Sequence, residues 1–129
     1  EEIVNAYDNA LRYTDRVLAD ALRALRRTDT HDTALLYVSD HGESLGENGL
    51  YLHGIPYSIA PETQTRVPMV AWFSPDWGRS FGLDTACLGE RAKAPASHDH
   101  IFHSLLGLLD VKTSIYAAEM DLSAACRPV

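Results

Sequence analysis

Polar and apolar positions follow a helical period over the first part of the chain. The apolar series recurs in steps of three and four, with charged residues between its members, and consists of Val4, Tyr7, Leu11, Thr14, Leu18, Ala21 and Leu25. This spacing places the series on one face of an α-helix. The pattern therefore predicts a long amphipathic helix over residues 2–27.

Two short apolar runs follow this helix. Residues 34–38 (ALLYV) are apolar without alternation, which is typical of a parallel strand covered on both faces. Residues 66–73 (RVPMVAWF) predict a second strand, with Pro68 near its start or on an edge because proline cannot donate to a ladder. Residues 39–65 contain four glycines and two prolines and show no sustained period. They predict one long loop, and a loop of that length is usually functional.

The remaining pattern is weaker. Residues 78–95 predict irregular structure, and Trp77 is expected to be a partly exposed loop residue. Ser97 or Asp99 is expected to cap a last helix that ends near Asp110. The order helix, strand, loop, strand, helix predicts an α/β fold in which helices flank a sheet.

Length and charge exclude several classes of protein. The chain has 129 residues, of which 46% are hydrophobic and 22% charged, so we expect a single globular domain with a core. Its net charge of -7 has the wrong sign for a phosphate backbone, so we expect no nucleic-acid partner. No apolar run is long enough to span a bilayer, and we expect this chain to be soluble. Because it starts at Glu1 within a helical pattern, we interpret it as a piece of a longer protein.

The candidate metal-binding and phosphate-binding residues lie in the segment SDHGESLGENGLYLHG, residues 39–54. This segment follows the strand at 34–38, and ligands of open α/β sheets bind at the carboxyl ends of strands. Asp40 and His41 offer a hard oxygen and an imidazole nitrogen, a pair suited to zinc. Glu43 and His53 are further candidate ligands for a second metal or for a phosphate. In the alternative interpretation, these side chains form only the solvated face of a noncatalytic interaction module.

The same segment, followed by PYSIAP at residues 56–61 and VPM at residues 67–69, resembles the lipid A phosphoethanolamine transferases, which include the mobile colistin resistance enzymes. The likeness extends to NAYDN in the first helix, to FHSLLGLL at residues 102–109 and to Cys126 and Arg127. It covers nearly the whole chain, and its sixteen near-continuous loop positions are far more specific than a short glycine motif.

The resemblance implies an alkaline-phosphatase or sulfatase-like α/β domain, of which residues 1–129 would be the C-terminal portion. It implies a parent enzyme anchored by upstream transmembrane helices at the periplasmic face of the bacterial inner membrane. That enzyme would use Zn²⁺ to move phosphoethanolamine from phosphatidylethanolamine to lipid A, through a phosphorylated threonine, and so confer resistance to polymyxins such as colistin.

The resemblance also implies residue roles. Asp40 and His41 match the family's zinc ligands, and Glu43 and His53 match residues that hold a second zinc or the phosphoryl group. The family's nucleophilic threonine lies upstream, so no residue of this chain is given a catalytic role. We therefore expect the chain alone to be inactive, to bind zinc weakly without the missing N-terminal half, and to be prone to self-association through its thin sheet.

A periplasmic location further implies that Cys87 and Cys126 form a disulfide with each other. A sulfatase or phosphodiesterase of the alkaline phosphatase superfamily is the nearest alternative to the transferase. Those enzymes usually carry a lysine shortly after the SDHG-like turn to meet sulfate or phosphate. No lysine occurs here between His41 and Lys93, which favours the transferase.

Overall fold

A computed structural model describes residues 1–127 of the chain and divides it into two compact units, Glu1–Trp72 and Phe73–Val129. The first unit contains α1 (Glu2–Arg26), β1 (Ala34–Val38), β2 (Ser44–Leu45), β3 (Tyr51–Leu52) and α2 (Glu62–Thr65). Strand β4 (Met69–Phe73) follows, and all of its residues except Phe73 belong to this unit. The second unit contains α3 (Trp77–Phe81), α4 (Thr85–Arg91) and α5 (Asp99–Leu108), followed by single 3-10 turns at Ala118–Met120 and Ala124–Cys126.

The long helix and the two longer strands lie where the apolar pattern predicts them. Helix α1 ends one residue before the predicted boundary, and basic side chains in its last turn, Arg23 and Arg26, complement the helix dipole. Strand β1 pairs with β4, which begins directly after Pro68. The prediction that β1 is covered on both faces is wrong within residues 1–127, because all five of its residues are only half-buried. The other described elements leave the faces of this two-stranded sheet only partly covered.

The prediction of one unstructured loop over residues 39–65 is also wrong. Strands β2 and β3 form a small antiparallel hairpin in which Ser44 lies opposite Leu52 and Leu45 opposite Tyr51. A 3-10 turn at Glu47–Gly49 connects the two strands. Strands of two residues and a helix of four are too short to show a period, which explains why the pattern does not reveal them.

Residues 78–95 form two helices instead of the predicted irregular segment. Helix α3 ends at Phe81 and is followed by Gly82, whose left-handed φ of 61° is common directly after a helix. Helix α4 begins after Asp84, whose Oδ1 accepts hydrogen bonds from the N–H groups of Ala86 and Cys87 at 2.9 and 3.0 Å. Trp77 is 7% exposed and stacks on Phe81, so the prediction of an exposed loop residue is wrong.

The last helix is confirmed, but its predicted cap is not. Its N-cap position is occupied by His98, and the Ser97 N–H donates to Nδ1 of His100 at 3.1 Å. The Cys87–Cys126 disulfide is confirmed, with 5.5 Å between the two Cα atoms. Within the described residues, none of the helices has both the length and the apolar character needed to cross a membrane.

Candidate metal centre

The candidate centre begins where β1 ends. The Asp40 carboxylate accepts a hydrogen bond from the His41 N–H at 3.0 Å, and the Ser39 hydroxyl donates to the His41 carbonyl at 2.9 Å. Such side-chain to backbone bonds stabilise a turn. Gly42 then packs against α2, so closely that an added Cβ would lie 2.0 Å from the Thr63 carbonyl oxygen. Only glycine permits this approach, which brings the start of the segment 39–54 next to α2.

Three of the four predicted site residues come together. His41, Glu43 and His53 each offer one ligand atom, and these atoms all lie within 4.8 Å of one another. The His41 and His53 rings stack, with their centroids 3.7 Å apart and their planes at 28°. His53 Nδ1 lies 2.8 Å from Oε1 of Glu43. The hairpin produces this convergence, because β2 directly follows Glu43 and β3 directly precedes His53.

The hydrogen bonds decide which ring nitrogens can bind a ligand. His41 Nδ1 lies 3.1 Å from the carbonyl oxygen of Gly42, which can only accept, so this nitrogen carries the proton. His53 Nδ1 likewise donates to the Glu43 carboxylate. In the neutral form of each ring, Nε2 is then the acceptor. A histidine that donates through one nitrogen to a carbonyl or carboxylate is the common arrangement of a metal-binding histidine, because the bond fixes the tautomer and the ring orientation.

The Glu43 carboxylate provides an independent sign of a missing charge partner. Its Oε2 atom is buried and has no hydrogen-bond partner among residues 1–127. A buried carboxylate oxygen without a partner is costly, and such an atom calls for an explanation such as a bound ion. Two imidazole nitrogens and one carboxylate oxygen are ligands that zinc accepts. The residues present therefore fit a zinc ion.

Asp40 lies at the edge of this group. Its Oδ2 atom is 3.7 Å from Nε2 of His41, and 89% of its side chain is exposed. Asp40 and His41 therefore face each other at the carboxyl end of β1. Their role as the ligands of one metal stays a prediction, as does the role of Glu43 and His53 at a second metal or a phosphate.

Two buried polar residues that the sequence does not single out form a hydrogen bond next to Glu43. Gln64 is 6% exposed and Ser44 is 1% exposed, and the Gln64 amide nitrogen donates to the Ser44 hydroxyl at 2.9 Å. Gln64 is also the only glutamine of the chain. A lone long polar residue between Pro61 and a strand is a weak signal, because its burial depends on the fold around it.

A family model described as sulfatase matches residues 1–111 of the chain. The chain belongs to the sulfatase family. Within residues 1–111 this sulfatase-family chain contains the whole cluster of His41, Glu43 and His53, together with α2. The α/β fold expected from the resemblance is confirmed.

Named relatives of this sulfatase-family chain are transferases. Phosphoethanolamine transferase EptA of Salmonella typhimurium is 47% identical over 129 residues, which cover 98% of this chain and 24% of that protein. Phosphatidylethanolamine transferase Mcr-1 of Escherichia coli is 42% identical over 113 residues, which cover 86% of this chain and 19% of that protein. The expected resemblance to phosphoethanolamine transferases is confirmed.

A solved structure agrees with these relatives. The integral membrane protein lipooligosaccharide phosphoethanolamine transferase A (EptA) of Neisseria meningitidis superimposes with a TM-score of 0.92 and 48% identity, over 98% of this chain and 24% of that one. The sulfatase-family chain thus spans about a quarter of the length of these proteins.

Proposed function

We propose that this chain is part of a zinc-dependent transferase that moves phosphoethanolamine from phosphatidylethanolamine to a phosphate of lipid A, and so confers resistance to polymyxins. The observation that carries the proposal is the convergence of His41, Glu43 and His53 beside the orphaned Glu43 oxygen. This geometry occurs in a chain that is 47% identical to a named phosphoethanolamine transferase. The alternative of a merely solvated surface does not explain why a carboxylate oxygen is buried without a partner among the described residues.

The residues take separate roles in this proposal. Asp40 and His41 hold zinc, whose charge neutralises the phosphoryl oxygens of the substrate when the ion is bound. Glu43 and His53 hold a second zinc or the phosphoryl group. In the second case, Glu43 keeps the His53 ring oriented through Nδ1, and Nε2 of His53 hydrogen-bonds the phosphoryl oxygen when that nitrogen is protonated.

The parent protein acts, in this proposal, at the periplasmic face of the bacterial inner membrane. The integral membrane relative from Neisseria meningitidis supports a membrane location. The name of Mcr-1 supports phosphatidylethanolamine as the donor. We assign the nucleophile to a part of the protein outside these 129 residues, so the chain by itself has no turnover and binds zinc weakly.

The direct test is a transfer assay with the full-length protein. The protein is incubated with vesicles that contain phosphatidylethanolamine and lipid A, and the mass of lipid A is followed. We expect the wild type to add phosphoethanolamine, His53→Ala to lose most of the activity, and Glu62→Gln, at an exposed carboxylate of α2, to retain it.

The alternatives give different results in the same assay. Release of phosphoethanolamine into water with unmodified lipid A would identify a phosphodiesterase. When an aryl sulfate is added to the assay, its cleavage without attack on phosphatidylethanolamine would identify a sulfatase. No reaction of phosphatidylethanolamine or of the aryl sulfate, in a protein that retains no zinc after dialysis, would favour the interaction module.

A further inference from the structure

We infer that Gln64 is a positioning residue for the candidate metal centre, which it serves by fixing the two loop segments that carry Glu43 and His53. The inference rests on the proposed function, because it concerns the same site. Gln64 lies in α2 and touches neither Glu43 nor His53 through a hydrogen bond of its own. Its bonds go to the neighbours of both residues along the chain.

The first set of bonds holds Glu43 from both sides. The Gln64 backbone carbonyl accepts from the Gly42 N–H at 3.0 Å, and the Gln64 side-chain amide donates to the Ser44 hydroxyl at 2.9 Å. The residue before Glu43 and the residue after it are thereby fixed to one position of α2.

The second bond holds the segment that carries His53. Oε1 of Gln64 accepts from the N–H of Ile55, two residues beyond His53, at 3.4 Å. One side chain therefore joins the two segments that carry Glu43 and His53, whose side chains are hydrogen-bonded at 2.8 Å. Ordering ligands before the ion arrives lowers the entropy cost of binding, and groups that orient metal ligands typically affect affinity 10- to 100-fold.

The chemistry of the amide is specific to this position. Gln64 is buried and uses a donor and an acceptor at the same time, which a neutral amide supplies. A glutamate would lose the donor to Ser44 and bury a second carboxylate near Glu43. A methionine would keep the length and lose both bonds. Ser44 itself has little freedom to adapt, because it is 1% exposed and its hydroxyl also contacts Oγ1 of Thr63 at 3.3 Å.

The experiment compares Gln64→Met with wild type and with Glu62→Gln, a matched change at an exposed position of the same short helix. Zn²⁺ affinity of the full-length protein is measured by chelator competition. The visible absorption of the Co²⁺-substituted protein reports the coordination geometry, and thermal unfolding of the metal-free protein reports stability. We expect Gln64→Met to bind Zn²⁺ about 10- to 100-fold more weakly and to change the Co²⁺ spectrum, whereas Glu62→Gln changes neither.

Ser44→Ala provides a second variant in case Gln64→Met does not fold. It removes the acceptor of the Gln64 amide, so we expect a smaller loss of affinity in the same direction. In the double variant the two losses are expected to be less than additive, since both changes remove the Gln64–Ser44 hydrogen bond.

Unchanged Zn²⁺ affinity and an unchanged Co²⁺ spectrum in folded Gln64→Met or Ser44→Ala would overturn the positioning role while leaving the proposed function intact. A wild-type protein that binds no Zn²⁺ and transfers no phosphoethanolamine would overturn both.

Discussion

Glu43 has two oxygens in opposite situations. Oε1 accepts a hydrogen bond from His53 at 2.8 Å, whereas Oε2 is buried without a partner among the described residues. Burying an unpaired carboxylate oxygen costs stability in the metal-free protein, and a cation at the same oxygen offsets that cost. Glu43 therefore links the stability of the loop to the occupancy of the site.

Glu43→Gln is expected to change stability and affinity in opposite directions. The neutral amide keeps an acceptor for His53 and removes the buried charge, so the free energy of unfolding of the metal-free protein should rise by up to about 1 kcal/mol. Zn²⁺ affinity should fall at least about tenfold, because a charged ligand oxygen is lost. Denaturant unfolding and chelator competition on the same samples measure both. Equal Zn²⁺ affinity in wild type and variant would exclude Glu43 from the site.

A second buried carboxylate, that of Asp121 in the other unit, has hydrogen-bond partners at both of its oxygens. Asp121 is 4% exposed and accepts hydrogen bonds from the Tyr116 hydroxyl at 2.7 Å and from the Ser123 N–H at 2.7 Å. Burial raises the pKa of Tyr116 above its ordinary value, and the Asp121 carboxylate adds to the shift. Ionisation of this tyrosine would place a second negative charge beside Asp121.

Tyr116→Phe should therefore destabilise the protein in a pH-dependent way. A hydrogen bond to a charged group contributes about 1.5–3 kcal/mol, and the variant loses it at pH 8. Because the pKa of Tyr116 is higher in the folded state, this contribution is fully present below the unfolded pKa, near 10, and is lost as pH rises through the folded pKa. The difference between wild type and variant in denaturant unfolding should shrink above pH 10. A constant difference across that range would contradict the assignment.

At the scale of elements, the approach of α2 to the motif depends on Gly42. The N–H of Gly42 donates to the Gln64 carbonyl at 3.0 Å, and no space remains for a side chain beside Thr63. The contrast is Gly89 in α4, where an added Cβ would meet no described atom within 4 Å. The two glycines thus form a matched pair for substitution by alanine.

We expect Gly42→Ala to destabilise the protein by about 2 kcal/mol or more, because α2 or the motif must move to admit the methyl group. Gly89→Ala should stabilise it by about 0.5–1 kcal/mol, since alanine is the better residue in a helix interior. Denaturant midpoints of the two variants measure both effects. A neutral Gly42→Ala would show that the close contact with Thr63 is not needed.

Elements differ in how far the sequence predicts them. Helix α1 has an apolar series long enough to show a period, and strands β1 and β4 are continuous apolar runs, so the pattern locates all three within a few residues. The hairpin and α2 are too short to contain such a series. Tertiary contacts such as the buried Gln64–Ser44 bond stabilise them instead. The sequence of residues 39–54 therefore predicts which residue types form the site, whereas the hairpin brings His41, Glu43 and His53 together.

On the scale of the whole molecule, the two units hold different features. The candidate centre and its support lie between residues 39 and 65 of the first unit, and the disulfide lies in the second unit. Cys126 follows the buried segment around Asp121, and its carbonyl accepts from the Asp84 N–H at 2.8 Å. The disulfide thus ties this segment to α4.

Removal of the disulfide by Cys87→Ser with Cys126→Ser should lower the free energy of unfolding by about 3–4 kcal/mol, as expected for a bond that closes a loop of about forty residues. Zn²⁺ affinity should stay unchanged, because no residue of the candidate centre lies in that unit. Denaturant unfolding and chelator competition test the two statements. A large loss of Zn²⁺ affinity in the folded double variant would contradict the independence of the centre.

The central claim is that the loop after β1 binds the metal of a phosphoethanolamine transferase. Crystallography of the full-length protein with Zn²⁺, recorded on both sides of the zinc absorption edge, tests it most directly. We predict an anomalous peak in contact with His41 and with at least one of Asp40, Glu43 and His53. A zinc peak elsewhere, with all four side chains free of metal, would contradict the claim.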